Sequence, residues 1–248
     1  MAGHSKWNNI KHRKGAQDKK RASLFTKLGK EITIAAKEAG GDPNFNPRLR
    51  LAIDKAKAAN MTKDVLERAI KKGTGELAAD EMMEIRYEGY GPAGTAFIVD
   101  CVTDNKNRSA GDVRAGFTKK GGNLGTDGAV SWKFKKQGLI TVPVAGLDPD
   151  EFMMAALEAG AEDVRTEDDV FEVITDYTEF QTVLENLTKA GFKYEEAEIT
   201  MIPDNKVQIT DLETAKKVMI LFDTLDELDD VQNVYADFDI PDEILEKL

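Results

Sequence analysis

Leu139-Ile140-Thr141-Val142-Pro143-Val144-Ala145-Gly146-Leu147-Asp148-Pro149 decides how the middle of the chain is read. Its apolar, β-branched half predicts a strand. Asp148-Pro149 predicts a helix start, with an aspartate to cap the first turn and a proline where no N–H is needed. That helix ends at Gly160, and strands follow at about Asp163 to Thr166 and at Val170 to Thr175. A second helix, boxed by Asp176 and Glu179, turns Phe180, Val183, Leu184 and Leu187 inward, and a last strand sets Ala197, Ile199 and Met201 on one side. The order βαββαβ is the ferredoxin-like arrangement, predicted over residues 137–202.

Outward from this unit the chain is again mixed. Upstream, Met83, Ile85 and Tyr87 alternate with Glu84, Arg86 and Glu88, as in a half-buried strand. Gly89 to Gly94 is a turn, and Thr95 to Thr103 is the returning strand. A helix near Asn107 to Lys119 with Ala110, Val113 and Phe117 inward leads to a glycine-rich loop, 121–128, and then to a strand with Val130, Trp132 and Phe134 on one face. Downstream come a short strand at Val207 to Ile209, a helix boxed by Thr210 and Glu213, and a strand near Val231 to Tyr235. Such a βαβ piece cannot bury both faces of its sheet alone, so it is expected to complete the upstream part. The prediction is a discontinuous α/β domain, 76–136 and 203–248, with 137–202 inserted.

The first 75 residues differ in kind. Leu24, Leu28, Ile32, Ala35 and Ala39 recur at helical spacing from about Gln17 to Ala39, and Gly40-Gly41 ends that helix. Asn46-Pro47 starts a second helix with Leu49, Ile53, Ala56 and Ala59 on one face. Thr62 caps a third, with Val65, Leu66, Ala69 and Ile70 inward, ended by Gly73. The fold class is therefore α+β in three domains: a three-helix domain at 1–75 and two α/β domains, one an inserted ferredoxin-like unit.

Charge divides along the same line. The whole chain carries a formal net charge of -11, but residues 1–75 hold 18 Lys and Arg against 7 Asp and Glu, and the remainder holds 16 against 38. A positive lobe on an acidic chain is suited to a polyanion. The basic density peaks in the stretch Gly3-His4-Ser5-Lys6-Trp7-Asn8-Asn9-Ile10-Lys11-His12-Arg13-Lys14 and continues through Lys19, Lys20 and Arg21. Candidate nucleic-acid-binding residues are Lys6, Trp7, Lys11, His12, Arg13, Lys14, Lys19, Lys20 and Arg21, with Arg48, Arg50 and Lys57 extending the surface on the second helix. Lysines and arginines displace counterions from phosphates, and Trp7 offers a flat face to a base or sugar.

Chemistry of other kinds is not legible. Cys101 is the sole cysteine and lies in an apolar strand, which leaves no intramolecular disulfide and no multi-thiolate zinc site. His4 and His12 are the two histidines, and no carboxylate or thiol spacing accompanies them, so they read as solvated, phosphate-facing or capping groups. The acidic runs at 167–169 and 226–230 lack a calcium-loop pattern and read as solvated turns. The glycine loops are neither a Walker A nor a dinucleotide fingerprint. The 121–128 loop reads as a tight connection, with a phosphate or peptide contact as the other use. The expectation is a non-enzymatic protein without cofactor or metal. No run approaches the roughly 18 apolar residues of a membrane helix and no signal-like apolar region opens the chain, so it is expected to be a cytoplasmic monomer.

These motifs carry a family resemblance. Gly3-His4-Ser5-Lys6-Trp7 with Ile10, Arg13 and Lys14, Gly41-Asp42-Pro43, Asn46-Pro47-Arg48-Leu49-Arg50, Tyr87-Glu88-Gly89-Tyr90-Gly91-Pro92, Asp104-Asn105 with Asn107-Arg108, and Gly121-Gly122-Asn123-Leu124-Gly125 resemble the signature of the YebC family. That family includes bacterial transcriptional regulators and the mitochondrial translational activator of cytochrome c oxidase subunit I. The resemblance implies a three-domain protein without known catalytic activity. It implies either a DNA-binding transcriptional regulatory protein or a ribosome-associated, RNA-binding translation factor that eases elongation through proline-rich stretches. The expected partner is accordingly DNA or ribosomal RNA, with the ribosome in the second case. A protein-interaction adaptor, with the ferredoxin-like unit as the binding part, is the reading from a different class.

Overall fold

The computed structural model describes residues 17–248 except 79 and 168, and of 17–22 the backbone alone. These residues form two compact units, 132–205 and 17–131 together with 206–248.

In the larger unit, helices α1 (Gln17–Ala39), α2 (Pro47–Ala58) and α3 (Lys63–Gly73) come first. Leu28, Ile32, Ala35 and Ala36 of α1 pack with Leu49, Ala52, Ile53 and Ala56 of α2 and with Leu66 and Ala69 of α3. Leu24 and Val65, expected inward, are exposed. Helices of 12 and 11 residues cannot cover one of 23, so the first turns of α1 extend past the packed region. Asn46 joins α1 to α2. Its Oδ1 accepts from Leu49 N as the N-cap, while its Nδ2 donates to Ala35 O and Gly40 O, both at 2.8 Å.

The sheet of this unit has the order β3-β1-β2-β9, built from β1 (Met83–Tyr90), β2 (Ala96–Thr103), β3 (Asn123–Leu124) and β9 (Val231–Ala236). The strand β9, more than a hundred residues downstream, is hydrogen-bonded antiparallel to β2, so two separated segments make one sheet. Helices α4 (Lys106–Lys119) and α7 (Leu212–Asp226) contribute Val113, Phe117, Val218, Leu221, Phe222 and Leu225 to one core with Phe97, Val99 and Cys101 of β2. Each buried aromatic or aliphatic side chain contributes about 1.5–3 kcal/mol. A parallel two-residue pair, β8 (Val207–Gln208) with β10 (Phe238–Asp239), and the short helix α8 (Asp242–Leu245) close this core. The cap of α7 is Asp211, accepting from Thr214 N, in place of the expected Thr210.

The smaller unit contains β4 (Phe134–Pro143), α5 (Pro149–Glu158), β5 (Asp163–Glu167), β6 (Val170–Asp176), α6 (Phe180–Lys189) and β7 (Glu196–Pro203). Its strand order β5-β6-β4-β7, antiparallel throughout, is the ferredoxin-like sheet. Asp148 caps α5 through Glu151 N. Phe152 stacks on Phe171 at 4.5 Å between centroids and meets Phe192 edge-on, which fixes α5 against the sheet. The expected box of Asp176 and Glu179 does not form: Asp176 instead accepts from Thr178 N and Oγ1. Nor does a strand run from Val130 to Phe134. A 3-10 turn, Ser131–Lys133, precedes β4, which starts only at Phe134.

Candidate nucleic-acid interface

The basic residues of the helical part divide into two sets. The first is paired: Lys27, Lys30 and Lys37 with groups of the α/β part of the same unit, and Arg48 with Glu31 and Glu38 of α1 as well as Glu84. Lys27 Nζ donates to Asp226 Oδ1 at 2.7 Å and to Asp226 O, and Lys30 Nζ donates to Asp229 O and to Asp230 Oδ1. The run 226–230, expected to be a solvated turn, thus anchors α1. Lys37 Nζ donates to Met82 O at 2.9 Å. Arg48 Nε and Nη2 grip the Glu31 carboxylate, Nη1 donates to Glu38, and Nη2 also donates to Glu84 of β1. Burial alone would lower the Arg48 pKa, but the bonds to Glu31 and Glu84 outweigh it and hold the guanidinium charged.

The second set is exposed, apart from a half-buried Arg50. Lys57 is exposed on α2, with Asp54 3.9 Å away, and Arg50 is half-buried one face-repeat before it. On α3, Lys63, Arg68, Lys71 and Lys72 are exposed. Lys6, Trp7, Lys11, His12, Arg13 and Lys14 lie outside the described residues. Lys19, Lys20 and Arg21 fall in the first turns of α1, with side chains likewise outside what is described.

Two carboxylates hold the frame on which this surface stands. Asp230, buried, receives Thr103 Oγ1 at 3.0 Å, Ser109 Oγ at 2.8 Å, Arg108 Nε and Nη2, and Lys30 Nζ. Burial pushes its pKa up, but the bonds from Ser109, Lys30 and Arg108 outweigh this and keep it below the usual aspartate range. Glu88, also buried, accepts from the backbone N–H groups of Val130 at 2.7 Å, Ser131 at 2.8 Å and Gly128 at 3.0 Å. Its burial acts upward, and those three donors bring the net shift below the glutamate range. The glycine-rich loop is therefore fastened along its length. Leu124 and Asn123 pair with Gly89 and Tyr90 of β1, and a Cβ on Gly122 would sit 2.8 Å from Tyr90 O. The Val130 N–H that a strand would have used is taken by Glu88.

Several of the quoted motif residues thus have structural tasks. Asn105 caps α4 through Asn107 N and Arg108 N, and Arg108 binds Asp104 and Asp230. Cys101 is buried, and burial first, then Asp230 and Asp100, push its thiol up to about 12, which removes it as a nucleophile. Among the described residues no group of three or more His, Cys, Asp or Glu lies where it could hold a metal ion, and no helix is long and apolar enough to cross a membrane.

Residues 5–76 match the TACO1/YebC protein N-terminal domain, and residues 82–238 match the TACO1/YebC second and third domain. The chain belongs to the TACO1/YebC family. It is 75% identical over 248 residues to a probable transcriptional regulatory protein of Fusobacterium nucleatum, covering 100% of both chains. It is 55% identical over 249 residues to the transcriptional regulatory protein PmpR of Pseudomonas aeruginosa, again covering 100% of both. A crystal structure of a conserved hypothetical protein from Aquifex aeolicus superposes with a TM-score of 0.85 at 50% identity, over 95% of this chain and 97% of that one. Two residues that hold the frame of the helical part and its neighbours escaped the sequence reading. Glu88 and Asp230 look like ordinary surface carboxylates until their distant partners are seen.

Proposed function

We propose that this TACO1/YebC family member is a non-enzymatic, nucleic-acid-binding regulator of gene expression, with residues 1–75 as the binding domain, 76–136 and 203–248 as a discontinuous α/β domain and 137–202 as the inserted acidic one. The observation that carries this is the charge division: 18 basic against 7 acidic residues before position 76 and 16 against 38 after it. The names of its relatives as transcriptional regulatory proteins agree with a regulator. The binding surface combines Lys6, Trp7, Lys11, His12, Arg13, Lys14, Lys19, Lys20 and Arg21 with Arg50 and Lys57. The acidic domains hold the rest of the chain away from the polyanion and limit nonspecific contact.

Within that class, promoter DNA and ribosomal RNA are the two targets. For major-groove readout, an arginine at the start of α2 would have to reach base edges. Arg48 holds that position, and its engagement by Glu31, Glu38 and Glu84 favours the second target, a ribosome-associated factor acting on translation. Sedimentation of lysate through a gradient separates the two. Co-migration with ribosomal particles supports the RNA reading. Absence from them, with footprinting of a defined promoter by the purified protein, supports transcription. Absence of both contacts overturns the proposal.

A further inference from the structure

One helix of the smaller unit departs from the usual pattern on its outward side. Helix α5 turns Phe152 and Ala156 into the core, where Phe152 is fixed by Phe171 and Phe192. On the other side Met154 is 64% exposed, Leu157 49% and Met153 36%. Residues three and four apart on a helix are surface neighbours, so Met153 and Met154 both adjoin Leu157 and the three form one stripe. Single exposed apolar residues are ordinary, whereas three on one side of a ten-residue helix are not. The neighbouring helix α6 has the ordinary arrangement: Phe180, Val183, Leu184 and Leu187 are buried, and Thr182, Glu185 and Lys189 are exposed.

Charge says what would cover the stripe. Asp150 stands three and four residues before Met153 and Met154, Glu151 three before Met154, and Glu158 four after it. All three carboxylates are exposed on the same side, and the helix contains no Lys or Arg. The whole unit, 132–205, holds 6 Lys and Arg against 17 Asp and Glu. A second copy docking through the same face would set like charge on like charge, and anionic lipids or a nucleic acid would be repelled in the same way. A cationic protein surface with aliphatic side chains is complementary on both counts. Methionine side chains are flexible and polarisable and mould to aliphatic groups of varied shape, and a ridge of side chains at i, i+3 and i+4 is matched by the groove of another helix. We infer that the outward side of α5 docks a cationic amphipathic helix of another protein, its aliphatic face on Met153, Met154 and Leu157 and its cations on Asp150, Glu151 and Glu158. This gives the acidic unit a binding task of its own and does not rest on the reading of residues 1–75 as a nucleic-acid-binding domain.

The test uses the full chain and a leucine–lysine peptide of about 18 residues, long enough to form a helix, with its leucines on one face. A scrambled peptide of the same composition lacks that face, and a leucine–glutamate peptide keeps the face with the opposite charge. Methyl resonances of isotope-labelled methionine report the site. The amphipathic cationic peptide should shift the Met153 and Met154 signals and bind with an affinity that falls with salt. Met154→Gln with Leu157→Gln alters exposed positions only, so the fold should be kept while affinity drops about 5- to 30-fold, the loss expected of truncated anchors. Glu151→Gln with Glu158→Gln should preserve the methyl shifts at saturation and flatten the salt dependence. Equal affinity and shifts with the scrambled peptide overturn the proposal, because charge alone then suffices. Equal or larger shifts with the leucine–glutamate peptide overturn it too, as does unchanged affinity in Met154→Gln with Leu157→Gln or an absence of shifts. Shifts that grow with protein concentration alone name a second copy as the occupant, and shifts on adding vesicles of anionic lipid name a membrane; either replaces the cationic helix. None of these outcomes bears on nucleic-acid binding by residues 1–75, so the two readings fail separately.

Discussion

Lys30 Nζ and Asp230 Oδ1 lie 3.0 Å apart across 200 residues of sequence, and the side chains of both are largely buried. With Lys27 and Asp226 beside them, they fasten α1 of the basic helical part to the turn between α7 and β9. A glycine-containing linker follows α3, yet four side chains, Lys27, Lys30, Lys37 and Arg48, bind the helices to the α/β part.

Asp230→Asn should therefore destabilise the larger unit by about 3 kcal/mol, because it removes a carboxylate that Thr103, Ser109, Arg108 and Lys30 all address. Urea unfolding followed by circular dichroism measures this, and a loss below about 1 kcal/mol would refute the role given to Asp230.

Stability should also fall in acid through Asp230 and Glu88. Both have folded-state pKa values below those of the unfolded chain. The unfolded state thus binds more protons, and their contribution is complete above an unfolded value of about 4 and lost as pH falls through the depressed folded values. Asp230→Asn and Glu88→Gln should each flatten the stability profile below about pH 4, and an unchanged profile in both would contradict the assignment.

Glu88→Gln should loosen the loop that the glutamate closes. A glutamine offers one acceptor oxygen where the carboxylate offers two to Gly128, Val130 and Ser131. Hydrogen exchange should accelerate at those three amides, with a cost of about 1–3 kcal/mol in unfolding. Protection equal to the wild type would show that the loop holds without it.

Asn46→Ala removes an N-cap and leaves Ala35 O and Gly40 O without their side-chain donor, at a cost of about 2–4 kcal/mol. Thermal unfolding checks this.

Much of this was legible because local signals and tertiary structure agree. The period of α1 gave its limits, Asp148-Pro149 gave the start of α5, and the strand count gave a ferredoxin-like unit. The misses have physical causes. Helical spacing marks the apolar face at Leu24 but says nothing of how far α2 and α3 reach along it. Thr210 and Asp211 are both acceptable caps, and only backbone geometry selects Asp211. The paired set of basic residues was invisible, since Lys30 and Arg48 look like any exposed cation until Asp230 and Glu84 are brought beside them. Charge segregation identified the basic lobe, but it could not tell which of its cations serve the fold.

That distinction is open to direct measurement. Arg48→Ala should lower the melting temperature and leave the salt dependence of nucleic-acid binding unaltered, because its guanidinium is engaged by Glu31, Glu38 and Glu84. A flattened slope with normal stability would return Arg48 to the binding surface.

The central claim is tested most directly by the slope of log affinity against log salt for the full chain, compared with the variant carrying Lys11→Ala, Arg13→Ala and Lys14→Ala. The account predicts steep weakening with salt for the wild type and a slope flattened by up to about three units in the variant. Salt-independent binding, or a variant whose slope matches the wild type, would contradict it.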